Sequence, residues 1–138
     1  MDMTTFLGPV LALIMLTLIV WVHLYARRIP AMQAAQMDPE EAKFPGTYAD
    51  RLPDAARAAA DNYNHLMEQP TIFYALMFYA ALTDNTASAV LWLAWAYVVL
   101  RALHTVVQLS VGKVMVRFTL FALSTLCLFG MVAVMWLS

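Results

Sequence analysis

Residues 62–82 read Asn-Tyr-Asn-His-Leu-Met-Glu-Gln-Pro-Thr-Ile-Phe-Tyr-Ala-Leu-Met-Phe-Tyr-Ala-Ala-Leu. The second part of this stretch, 71–82, is twelve residues without a charge. At about 1.5 Å per residue a helix of that length covers about 18 Å, short of the roughly 30 Å hydrocarbon core of a bilayer. A membrane-spanning helix here must carry Glu68, His65 and Asn64 into or close to the slab. Ionisable groups at that depth are costly unless they pair or serve a site.

The rest of the chain makes the membrane the consistent setting. Its 138 residues are 63% hydrophobic and 12% charged, against about 45–50% and about 25% in soluble domains. So short a chain has too little interior to hide that much apolar surface, which excludes a soluble globular enzyme. The same composition excludes intrinsic disorder. With a net charge of −1 and no polybasic run, nucleic-acid binding has no electrostatic footprint. Cys127 is the single cysteine, so no internal disulfide forms and no Cys/His metal pattern is present. Lying among Leu and Phe with no base nearby, its thiol is expected to be inert.

The expected architecture is all-α: one four-span transmembrane domain over residues 1–138. The spans run over about 5–25, 62–82, 87–108 and 116–137, with a loop over about 26–61. The first apolar run is longer than a signal-peptide core and its amino end carries Asp2 without Lys or Arg, so it reads as a retained span. Arg27, Arg28, Lys43, Arg51 and Arg57 fall between spans one and two, and Lys113 and Arg117 between spans three and four. The amino terminus, the 83–86 turn and the carboxyl terminus carry neither residue. The positive-inside rule then places both basic loops in the cytoplasm and both termini outside. The loop holds Pro30, Pro39, Pro45 and Pro53, with a turn at Pro45-Gly46. After Pro53 the alanine-rich text favours a helix that starts near Pro53 and runs into the bilayer. Short links at 83–86 and about 109–115 favour an up-down antiparallel bundle. Pro70 predicts a kink beside Glu68, because it has no amide hydrogen and clashes with the Leu66 carbonyl.

Two polar stripes stand out. Arg57, Asp61, Asn64, Glu68 and Thr71 are spaced at three and four, so they share one face of the second helix, flanked by His65. Tyr97, Arg101, His104, Thr105 and Gln108 do the same on the third. Glu68 lies about 9 Å and Arg101 about 10 Å inside the cytoplasmic edge. The least costly arrangement sets Glu68 against Arg101, with His104, Asn64 and Gln108 completing hydrogen bonds. Arg117 opens the fourth span at the same level. The cluster suits an anionic ligand bearing planar carboxylates. Plainer uses exist for each group. A Glu–Arg pair can simply hold helices together, Arg117 can snorkel to the headgroups, and His104 can be interhelical polar glue. His65 and His104 at similar depth also leave room for axial ligation of a haem.

The string Asn62-Tyr-Asn-His-Leu-Met-Glu-Gln-Pro-Thr-Ile-Phe-Tyr74 resembles the Asn…Glu…Pro signature of the MAPEG superfamily, membrane-associated proteins in eicosanoid and glutathione metabolism. Arg101-Ala-Leu-His-Thr-Val106 followed by Arg117 resembles its third- and fourth-helix pattern. Phe44-Pro-Gly-Thr-Tyr48 and Leu52-Pro53 look like its bacterial branch.

The resemblance implies a homotrimer of four-helix subunits, with glutathione bound as co-substrate between neighbours near the cytoplasmic side. It implies a transferase or peroxidase acting on lipophilic small molecules that arrive through the lipid bilayer. Asn64 and Glu68 would hold the backbone or amine of glutathione. Arg101, His104 and Gln108 would line the site, and Arg117 would stabilise the thiolate. The sequence also departs from the family pattern. Ala60-Asp61 stands where the enzymes carry an Arg, the gap from Glu68 to Pro70 is short, and Phe118 and Phe121 replace hydroxyl residues, as Gln108 replaces Tyr. These departures suit an alternative: a non-catalytic module of the same fold that binds lipid or serves as an accessory subunit.

Overall fold

A computed structural model of the chain describes residues 1–44, 46–110 and 112–138. The described residues form helices and short turns, with no strand among them. The elements are α1 (Met3–Phe6), α2 (Gly8–Ala34), α3 (Asp54–Glu68), α4 (Pro70–Leu82), α5 (Ser88–Leu109) and α6 (Val114–Leu137), with two 3-10 turns at Pro39–Ala42 and Ala49–Arg51. Three of the helices, α2, α5 and α6, are long and apolar enough to cross a membrane.

Helix α2 admits Pro9 because it lies in the first turn, where the missing amide hydrogen has no partner to lose. It runs nine residues beyond the expected first span and ends where Gln36 takes the left-handed conformation, φ 51°. The Met37 amide then donates to the Met32 carbonyl at 3.0 Å, the six-to-one bond of a Schellman closure. Met37 is buried there with Leu52 and Ala56, against Met32, Ala31 and Tyr48. This small apolar cluster pins the long loop to both α2 and α3. Asp38 caps the first 3-10 turn by accepting from the Glu40 amide at 3.0 Å. The expected turn at Pro45-Gly46 includes Pro45, which lies outside the described residues.

Helix α3 starts directly after Pro53, and Asp54 in its first turn complements the helix dipole. At Gln69 the ladder is interrupted. Pro70 cannot donate to Leu66, and the Ile72 amide instead reaches the Gln69 carbonyl at 2.9 Å. The expected kink therefore takes the form of two helices, α3 and α4, meeting at Gln69. Helix α3 packs on α2 and α5, whereas α4 packs on α6. Helix α4 ends in a second Schellman closure, with Asp84 at φ 54° and the Asn85 amide donating to the Ala80 carbonyl at 2.9 Å. The link after α5 includes Val111, outside the described residues. Next to it Gly112 takes φ 67° and donates to the Val107 carbonyl at 2.8 Å, a conformation that suits glycine.

The tightest packing is between α5 and α6. Gly130 lets them approach, since a Cβ there would stand 3.2 Å from the Leu93 side chain. The core joins Leu13 and Val20 of α2, Leu66 of α3, Phe73 and Met77 of α4, Ala94 and Tyr97 of α5, and Leu128 and Met131 of α6. Phe73 and Tyr97 stack at 4.7 Å between centroids, 11° from parallel. The outer faces are apolar, with Leu11, Ile19, Trp92, Val106, Leu126 and Trp136 exposed. A surface of this kind is one that lipid covers.

Candidate functional site

The α5 stripe is built as its spacing predicts. Tyr97, Arg101, His104, Thr105 and Gln108 are all buried, Arg101 completely. Arg101 donates from Nη2 to the main-chain carbonyl of His65 at 3.1 Å, and its Nε and Nη1 have no protein partner.

The α3 stripe turns the other way. Ala56, Ala59, Asn62 and Leu66 are the buried positions of α3, while Arg57, Asp61, Asn64 and Glu68 are exposed. The ion pairs among the described residues are Arg51–Glu41 and Arg57–Asp54. The expected Glu68–Arg101 pair is thus not formed, and Arg101 bonds the backbone of α3 instead. The reason is steric and hydrophobic. Alanine at 56 and 59 and leucine at 66 make the close-packing face, and the polar stripe on the opposite side follows from the 3.6-residue repeat.

His65, flanking that stripe, is the residue of α3 that joins the α5 and α6 groups. Its ring meets the His104 ring edge-on at 5.5 Å and the Phe121 ring at 6.4 Å. His65, His104, Val114, Arg117, Phe118 and Phe121 line a pocket of about 210 Å³. His104 Nδ1 and Arg117 Nε are buried there without a protein partner. Because the two imidazoles touch each other, no macrocycle fits between them, which removes the bis-histidine haem arrangement. What the pocket offers is donors to an anion, between two aromatic walls.

Of the six site residues expected from the sequence, the fold brings His104 and Arg117 into one pocket. Arg101 is tied to its His65 wall, and Gln108 is buried one helical turn beyond His104. Glu68 is exposed, and Asn64 lines a different cavity of about 460 Å³ between α2, the loop and α3. Gln69 is a polar link that spacing does not reveal. It accepts from the Tyr97 hydroxyl at 3.3 Å and donates to Thr125 at 2.7 Å, bridging α5 and α6 at the proline break. The available signal was an amide beside a proline within an apolar run.

No curated protein and no solved structure matches this chain. The MAPEG family does match it, over residues 6–136. That family contains glutathione transferases and peroxidases as well as non-catalytic members, and its members commonly use glutathione. With its three membrane-length helices and its apolar exterior, the chain is an integral membrane protein that belongs to the MAPEG family.

Proposed function

We propose that this protein is a glutathione-dependent transferase or peroxidase acting on lipophilic electrophiles. The single domain spans the membrane four times as an up-down four-helix bundle, with α3 and α4 together forming the second span. Both termini lie outside and both basic loops lie in the cytoplasm, following the distribution of Lys and Arg. Three copies assemble, and glutathione binds between neighbours.

The observation that carries this reading is the exposed stripe of Asn64 and Glu68 on α3, continued by Arg57 and Asp61. Polar and ionised side chains turned outward at membrane depth are too costly to leave against lipid. A neighbouring copy covers them, and the join becomes a polar cleft. Asn64 and Glu68 hold the amine or backbone of glutathione there. The His65–His104–Arg117 pocket receives the sulfur, and Arg117 stabilises the thiolate. An adjacent cation lowers a thiol pKa from about 8.5 and raises the nucleophilic fraction at neutral pH. Arg101 and Gln108, buried within each chain, support the His65–His104 wall.

The test is turnover by the purified protein of glutathione with a chlorinated aromatic or a lipid hydroperoxide. Arg117→Ala is expected to lower kcat/KM about 100-fold, in line with loss of one charge-stabilising donor. Glu68→Gln is expected to weaken glutathione binding about tenfold by calorimetry, as befits one charge-assisted hydrogen bond. Wild-type protein that neither turns over nor binds glutathione overturns the reading. It favours the non-catalytic module, for which Phe118 and Phe121 in place of hydroxyl residues are the supporting observation.

A further inference from the structure

The cavity between the carboxyl end of α2, the following loop and α3 has a chemistry of its own. Its floor is apolar, made by Leu24, Leu52, Ala56 and Ala60. Its polar lining carries three cations, Arg28, Lys43 and Arg57, with the hydroxyls of Tyr25, Tyr48 and Tyr63. Among the described lining residues Asp61 is the single carboxylate. Of the nearby acids, Glu41 pairs with Arg51, which does not line the cavity, and Asp54, its side chain fully exposed, pairs with Arg57 at 3.7 Å, so among the described residues Arg28 and Lys43 are the lining cations without a carboxylate partner.

Arg28 is held without being neutralised. It donates to the Tyr48 hydroxyl, and its guanidinium carbon stands 5.3 Å from the centroid of that ring. A hydroxyl and an aromatic face orient it, and no carboxylate pairs with it among the described residues. We propose that this cavity binds a phosphate-bearing anion. A guanidinium offers paired donors matched to phosphate, and Lys43 and Arg57 add charge around it. The volume, about 460 Å³, lies in the range of about 300–1,000 Å³ typical of ligand pockets.

The cavity's level in the fold suits such a ligand. Leu24 and Tyr25 end the first apolar run, and Tyr63 and Asn64 begin the second, so the cavity opens where both helices leave the hydrocarbon slab. Basic pockets at that level take anionic lipid headgroups. A phosphate ester dissolved in the water phase presents the same group. The cavity shares Arg57, Asp61 and Asn64 with the stripe assigned to the glutathione cleft, but the phosphate reading rests on Arg28 and Lys43, which lie outside that stripe.

The test uses the full chain in neutral detergent, with native mass spectrometry to count bound ligand. One arm titrates phosphatidylglycerol against phosphatidylcholine, and the other titrates inorganic phosphate. Arg28→Gln and Lys43→Gln are each expected to weaken binding about fivefold, the effect of one basic residue near a phosphate surface. Arg28→Lys is expected to retain most of it. Charge-dependent preference for phosphatidylglycerol supports the proposal and identifies a lipid source. Charge-dependent binding of inorganic phosphate alone supports it and identifies a soluble source. Equal uptake of both lipids with no uptake of phosphate overturns it, as does binding indifferent to both glutamine variants. Should Arg28→Gln fail to fold, Lys43→Gln carries the test, because Lys43 contributes no side-chain hydrogen bond among the described residues. A parallel glutathione titration on the same preparation separates failure here from failure of the enzyme reading.

Discussion

Arg101 is fully buried and yet bonds a main-chain carbonyl, and among the described residues no carboxylate forms an ion pair with it. A guanidinium is the cation best suited to such a place, since it is weakly hydrated and its planar donors reach several acceptors. Its contact with the carbonyl of His65 places that residue against His104, so a buried charge on α5 sets the position of an α3 imidazole. Small hydroxyl side chains are handled more simply. Thr17, Thr119 and Thr125 return their protons to carbonyls four residues back, whereas the buried Thr105 hydroxyl has no protein partner. The left-handed Gln36 is a different matter. Its Cβ is strained at φ 51°, and Gln36→Gly is expected to stabilise the chain by up to about 1 kcal/mol, read as a higher Tm in detergent. An unchanged or lower Tm would show that the closure of α2 bears no such strain.

Helices α3 and α4 follow one another through Gln69 but pack on different neighbours. Alanines let α3 lie close to α2 and α5, and α4, resuming after Pro70, packs on α6 instead. Gln69 fills the break with hydrogen bonds to Tyr97 and Thr125, joining both neighbours where the backbone ladder is weakest. Helices α5 and α6 are held by fit, with Leu93 seated on Gly130. Gly130→Val is expected to force them apart and cost about 1–3 kcal/mol, the usual penalty for overpacking. Thermal unfolding checks this, and a variant as stable as the parent would mean that Leu93 moves aside freely.

The assembled chain presents two kinds of surface. Most of it is a lipid-facing coat of Leu, Val, Phe and Trp, but the Asn64–Glu68 stripe interrupts that coat with groups a bilayer does not solvate. A trimer that covers the stripe is expected to survive mild detergent and to appear in native mass spectrometry at three times the mass of one chain. A species that stays monomeric in both nanodiscs and detergent would leave the proposed glutathione cleft without its second wall.

Membrane residence, helical content, the start of α3 after Pro53 and the break near Pro70 were all legible in the residue order. They depend on local quantities: hydropathy summed over a window, the missing amide of proline, and the propensity of alanine. The α5 stripe was legible for the same reason, because a three-and-four spacing places its members on one face. What spacing does not encode is the direction a face takes. Counting residues along each apolar run puts Glu68 and Arg101 at matching depth, but whether they meet depends on which side of α3 packs inward, and that was settled by the shape of Ala56, Ala59 and Leu66 against α2 and α5. The cavity around Arg28 and Tyr48 was out of reach for a related reason. Its walls come from segments distant in the chain, drawn together by the small apolar cluster of Met37, Leu52 and Ala56, and such contacts exist only once the loop has folded onto both helices.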